Sequence, residues 1–156
     1  MTRGPLYYYF HDKAELYTET ARYTIEQLKA QYSAIFHAGL PIRELLRTEF
    51  DFCLRQKNMF FHEAPNTRGM PDLREMSNDF TEWILAEKRA AFEAAIARGE
   101  LRPDCDIDGL ITSIYVLYHG IVQVRRMAEV TDGFSDDILQ NSTDYFMAMI
   151  EAGYLS

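Results

Sequence analysis

The 156-residue chain carries 16 Lys and Arg against 24 Asp and Glu, a formal net charge of −8, and 47% of its residues are hydrophobic. That length supports one domain with a proper core and leaves little for a second. The acidity is C-terminal, because residues 1–60 hold eight Lys/Arg against seven Asp/Glu and residues 61–156 hold eight against seventeen, so the body repels phosphate backbones and excludes a basic nucleic-acid stripe outside the N-terminal part.

Two cysteines, Cys53 and Cys105, lie far apart without CxxC spacing. Such usage fits a reducing compartment better than a disulfide framework or a zinc site, and the expected location is cytoplasmic. The longest weakly polar run, 109–124, is shorter than a bilayer span and contains Thr112, Ser113, His119 and Gln123, which argues against a membrane role.

In chain order, the first long element runs from Asp12 to about Phe36. Its apolar positions Tyr17, Ala21, Ile25, Leu28, Tyr32 and Phe36 recur at helical steps, and Asp12 with Glu15 reads as an N-cap and its capping-box partner. Gly39-Leu40-Pro41 stops it. Ile42, Leu45, Leu46, Phe50, Cys53 and Leu54 then mark a second amphipathic helix ending near Lys57, an antiparallel neighbour of the first because the hinge is short.

The stretch 58–71, NMFFHEAPNTRGMP, reads as an irregular connection with an apolar patch. A third helix is expected from Leu73 or Ser77 to Arg98, stopped by Gly99. After the Pro103-Asp104 break, Ile107, Leu110, Ile114, Leu117, Ile121, Val124 and Ala128 form one row of a fourth helix, and Ile111, Tyr115, Tyr118 and Val122 form a second row on an adjoining face. That apolar width is more than one chain's core is expected to use. Thr131-Asp132-Gly133 ends it, and a last helix is expected over 135–152. No strand alternation, repeat or low-complexity tract is found, so the expected fold class is an all-α bundle of about five to seven helices.

The opening stretch TRGPLYYYFHDKAELY resembles the end of the helix-turn-helix domain of TetR-family transcriptional repressors. Those proteins show a Ser/Thr-x-Gly-x-Leu/Ile-Tyr-x-x-Phe-x-x-Lys-x-x-Leu pattern, met here by Thr2, Gly4, Leu6, Tyr7, Phe10, Lys13 and Leu16. A weaker resemblance is AAIARGELRPDCDIDGLITSIYVLYHGIVQ, with a helix end, Gly-Glu-Leu-Arg, an acidic cap and a long apolar helix.

The resemblance implies a DNA-binding head, of which 1–11 is the remnant carrying the recognition helix, and a ligand-binding and dimerisation domain over 12–156. Thr2, Arg3, Gly4, Tyr7 and Tyr8 would face DNA and Lys13 a phosphate. By the resemblance the chain would start inside the recognition helix, and a helix that short would be unstable without its partner helices. Operator DNA is therefore an expected partner of the intact protein only.

The resemblance also implies a homodimer through the last two long helices, with Tyr118, Ile121, Val122, Arg125, Tyr145, Phe146 and Met149 at the interface. Candidate ligand-binding residues are Phe50, Cys53, Met59, Phe60, Phe61, Phe80, Trp83, Tyr115 and His119. Aromatic and thioether walls suit a small hydrophobic or aromatic effector.

No enzyme is expected, and an enzyme of unrecognised type ranks third among the readings. None of His11, His37, His62 and His119 has a Glu three residues earlier, His62-Glu63 does not continue as HExxH, and neither GxSxG nor a P-loop occurs. No metal and no cofactor are expected. The competing reading is a stand-alone helical ligand-binding or protein-interaction module.

Overall fold

A computed structural model describes residues 13–55, 71–130 and 141–155, with the side chains of 122, 125, 126 and 128–130 outside that description. Five helices lie among the described residues: α1 (Lys13–Phe36), α2 (Ile42–Arg55), α3 (Pro71–Ala97), α4 (Ile107–Val130) and α5 (Ser142–Tyr154). No strand occurs among them, only an isolated antiparallel bridge between Leu101 and Leu155. The chain is an all-α bundle. No helix of the described residues is long and apolar enough to cross a membrane.

α1, α2 and α5 each bury one stripe. On α2 the buried positions are Ile42, Leu45, Leu46, Glu49 and Phe50, which are the i, i+3, i+4, i+7, i+8 set of a single helical face. On α1 they are Ala21, Ile25, Tyr32 and Phe36, and on α5 Ser142, Phe146, Met147 and Ile150. Tyr17, expected on the α1 stripe, is instead exposed. It carries the Lys13 ammonium 5.9 Å from its ring centroid. α1 packs on α2 and α3, α3 also on α2 and α4, and α5 on α2 and α4.

Helix ends follow local chemistry. Gly39 and Gly99 have φ of 69° and 74°, left-handed backbone that only glycine adopts without a Cβ penalty. At Gly99 the amides of Gly99 and Glu100 return to the carbonyls of Ile96 and Ala95, both at 2.9 Å, which closes a Schellman motif and ends α3. The third helix begins earlier than its apolar rows suggest, at Pro71, because proline is pre-set for the first helical position. Asn141 is a turn residue and α5 starts at Ser142; the expected helical stretch 135–140 lies outside the described residues.

Glu100 joins two of these ends. Its carboxylate accepts the Ile42 amide at 2.6 Å, satisfying a free donor at the start of α2, and pairs with Arg98 at 2.5 Å. The Arg98 hydrogen bond first, then the Ile42 amide, hold its carboxyl below the ordinary 4.5. A carboxyl depressed on folding stabilises above its unfolded value and ceases to do so as pH falls through its folded value. Glu100→Gln should therefore melt at lower urea than wild type near neutral pH, by a modest margin because the pair is partly solvated. That margin should close in urea melts run well below pH 4.5.

The C-terminal end of α5 is fastened to the turn before α4. The Arg102 amide donates to the Tyr154 carbonyl at 3.3 Å, the Arg102 guanidinium to the Gly153 carbonyl at 2.5 Å, and the Tyr154 and Ser113 hydroxyls meet at 2.9 Å. Arg47–Asp144 at 2.8 Å and Arg43–Glu151 tie α2 to α5.

Candidate functional site

α2 carries the centre of the site because its buried stripe is not wholly apolar. Glu49 lies one turn after Leu45 and Leu46 and one turn before Cys53, and it is 3% exposed. Facing it from α3 is Lys88, placed midway between the buried Ile84 and Phe92 and 4% exposed. Their charged ends meet at 2.5 Å. The Lys88 ammonium also stands 5.3 Å from the centroid of the Tyr115 ring on α4, within cation–π range.

The next turn of α2 extends the cluster. The Cys53 thiol and the Tyr32 hydroxyl of α1 share a hydrogen bond at 2.9 Å. The Tyr118 hydroxyl of α4 donates to the Cys53 carbonyl at 3.4 Å. Glu49 and Cys53 thus bring α2 into polar contact with α1, α3 and α4 at one level of the bundle.

Protonation follows from these surroundings. Burial, and then the neighbouring Cys53, push the Tyr32 phenol far above its ordinary value. Burial and the Glu49 carboxylate push the Cys53 thiol up to about 12, against the lowering effect of the Tyr32 hydrogen bond. Burial also raises the Tyr115 phenol, against the pull of Lys88. For Lys88, burial opposes the charge, but attraction and hydrogen bonding to Glu49 outweigh it and the ammonium is held above its ordinary value. At neutral pH the site holds one positive charge, two uncharged phenols and an uncharged thiol beside the Glu49 carboxyl. A thiol raised this far is a poor nucleophile.

Aromatic side chains enclose this polar centre. Phe50 stacks on Phe146 with centroids 3.9 Å apart and meets Tyr118 edge-on at 6.1 Å. Tyr32 contacts Phe52 at 4.9 Å and Phe80 at 6.2 Å. Phe80 leads on to Trp83 at 6.0 Å, whose ring carries the Lys29 ammonium at 5.6 Å. His119 stacks on Tyr115 at 6.1 Å and meets Tyr118 at 5.4 Å.

Of the candidate ligand-binding residues, Phe50, Cys53, Phe80, Trp83, Tyr115 and His119 thus fall into one connected network. Met59, Phe60 and Phe61 lie outside the described residues, as do Thr2, Arg3, Gly4, Tyr7 and Tyr8. Glu49, Lys88, Tyr32 and Phe52 were not among the candidates. A signal for the burial of Glu49 and Lys88, though not for their pairing, was present: an acid and a base each sit on an otherwise apolar helical row, where a solvated charge does not belong.

Two expected interface residues belong elsewhere. Tyr118 and Phe146 are buried within their own chain, at 7% and 1% exposure, because α2 presents Phe50 and the Cys53 carbonyl to them. Ile121 packs against the same core. Val122 and Arg125 lie on α4 with side chains outside the described residues. Tyr145 and Met149 are exposed at 53% and 48%.

The second α4 row is likewise used at home, since Ile111 and Tyr118 are buried and Tyr115 half-buried. The uncovered face of α4 is a third one. It runs through Thr112, Val116, Gly120, Gln123 and Met127, all exposed and none charged. On α5 the exposed positions Tyr145, Ala148, Met149 and Ala152 repeat at i, i+3, i+4 and i+7.

No family model, curated protein or solved structure matches the chain.

Proposed function

We propose that the chain is the effector-binding and dimerisation body of a TetR-like transcriptional repressor that senses a small hydrophobic or aromatic molecule. The motif residues Thr2, Gly4, Leu6, Tyr7, Phe10, Lys13 and Leu16 support the regulator reading. The observation that carries the proposal is the pair of uncharged outer stripes on α4 and α5, with Val116 at 65% and Met127 at 51% exposure beside Tyr145 and Met149. In a body with net charge −8, an uncharged helical face is the surface on which two like-charged copies meet with least repulsion.

The enclosed cluster supplies the effector end of the mechanism. α1 starts within the matched motif and reaches the cluster through Tyr32. An effector that rearranges the contacts of Glu49, Cys53 and Tyr32 shifts the preferred placement of α1 on α2 and α3. In the intact dimer that population shift changes the spacing of the two heads relative to adjacent major grooves.

Sedimentation equilibrium at micromolar concentration tests the dimer. Wild type should run at twice its 18.2 kDa, and Tyr145→Glu with Met149→Glu should return it to the monomer mass with helical circular dichroism intact. A wild-type chain that sediments as a clean monomer would remove the proposal.

A further inference from the structure

We infer that residues 98–102 form a two-ended clasp: one short segment supplies the missing caps of two other helices, at the start of α2 and at the end of α5, and couples those ends to each other. Both ends lack capping chemistry of their own. The residues before α2 are Leu40 and Pro41, and neither has a side-chain oxygen to take a free amide, where a Ser, Thr, Asp or Asn ordinarily stands. α5 passes into extended backbone at Leu155, with φ −78° and ψ 152°, and has no basic residue in its last turn. It therefore has neither a left-handed glycine after it nor a cation on its own chain segment to meet its last carbonyls.

The segment makes up both deficits with alternate residues. Glu100 sets its carboxylate on the Ile42 amide at 2.6 Å. Arg102 sets its guanidinium on the Gly153 carbonyl at 2.5 Å and its amide on the Tyr154 carbonyl at 3.3 Å. An anion at an amide end and a cation at a carbonyl end match the two helix dipoles. Arg98 donates to both oxygens of Glu100, at 2.5 and 3.1 Å, and so orients it. Between the two caps Leu101 is 0% exposed and bridges to Leu155, and this shared residue makes the caps act together. If the end of α5 lifts, the Arg102 contacts and the Leu101–Leu155 bridge are lost at once, and the carboxylate beside them loses its fixed place over Ile42. α5 has 13 residues, a length at which a helix depends on docking for its stability. The clasp thus joins α2, which carries Glu49 and Cys53, to α5, whose outer row includes Tyr145 and Met149. It stands independently of the regulator reading.

Amide hydrogen exchange of the full chain, followed by NMR, tests the coupling with two variants that keep the buried Leu101. Arg102→Met removes the guanidinium and should speed exchange of the Ile42 amide about twofold or more, the lower range for members of one hydrogen-bond network. Glu100→Ala removes the carboxylate and should speed the Gly153 and Tyr154 amides of α5 by about the same factor. The Gly109 amide, bonded to its own local cap Asp106 at 3.1 Å, should keep its wild-type rate in both. Adding Arg102→Met to Glu100→Ala should leave Ile42 unchanged, because the carboxylate that carries the coupling is already gone. A further acceleration there would place the coupling in the direct Arg43–Glu151 contact and overturn the inference. Exchange that changes only at the cap removed, or that rises uniformly with Gly109 included, overturns it as well.

Discussion

Lys88→Met is expected to cost about 3–5 kcal/mol of folding stability, read as the loss in urea or thermal unfolding followed by circular dichroism. The substitution keeps the length and apolar stem of the side chain, so little packing around Ile84 and Phe92 is lost. What remains is the Glu49 carboxylate, 3% exposed, without the ammonium that lies 2.5 Å from it in the wild type. An uncompensated buried charge costs far more than a missing surface ion pair, whose contribution is about 0–1 kcal/mol.

Glu49→Gln/Lys88→Met should recover most of that loss. Taking two charges out of water costs about as much as their attraction returns, so replacing both partners by neutral residues is commonly neutral or stabilising. The pair is thus expected to add little net stability to the bundle. Its pH dependence has a definite sign. Lys88 is raised above its ordinary 10.5 on folding, so its stabilisation is complete below that value and is lost only as the solution becomes more alkaline than the folded-state value. A double variant that gains on the wild type at strongly alkaline pH, and not near neutrality, fits this account. A single Lys88→Met variant as stable as wild type would mean that water or another donor reaches Glu49.

How far these features could be read from sequence depends on whether local chemistry or tertiary contact decides them. Gly39 and Gly99 end helices because the backbone there needs a left-handed residue, which is a property of the adjoining residues alone, and both stops were legible. So was the α2 stripe, since a 3.6-residue period survives translation into structure directly. The Glu49–Lys88 pair was not, because a charge on an apolar row reveals its partner only once two helices are set face to face. Tyr118, expected at an interface, is buried in its own chain for a related reason. Two apolar rows exceed what one neighbouring helix covers, but α4 meets the core from α2, α3 and α5 together, through Phe50, Lys88 and Tyr154. Width of an apolar face says how much must be hidden and leaves open who hides it.

Phe146 and Tyr145 turn that distinction into a measurement, since adjacent residues on α5 point about 100° apart. Phe146 is 1% exposed and stacks on Phe50 at 3.9 Å with an interplanar angle of 7°. Phe146→Ala removes that contact and leaves a void between α2 and α5, at an expected cost of about 3–5 kcal/mol. Tyr145 is 53% exposed, and Tyr145→Glu should change the stability of an isolated chain by no more than about 0.5 kcal/mol. Unfolding at several protein concentrations separates the two effects, because a dimer's midpoint rises with concentration and a monomer's does not. Phe146→Ala should lower the midpoint at every concentration and keep the wild-type slope. Tyr145→Glu should flatten the slope and match wild type only at the most dilute end. Were Tyr145→Glu to keep the slope, the outer face of α5 would not be the meeting surface of the proposed dimer.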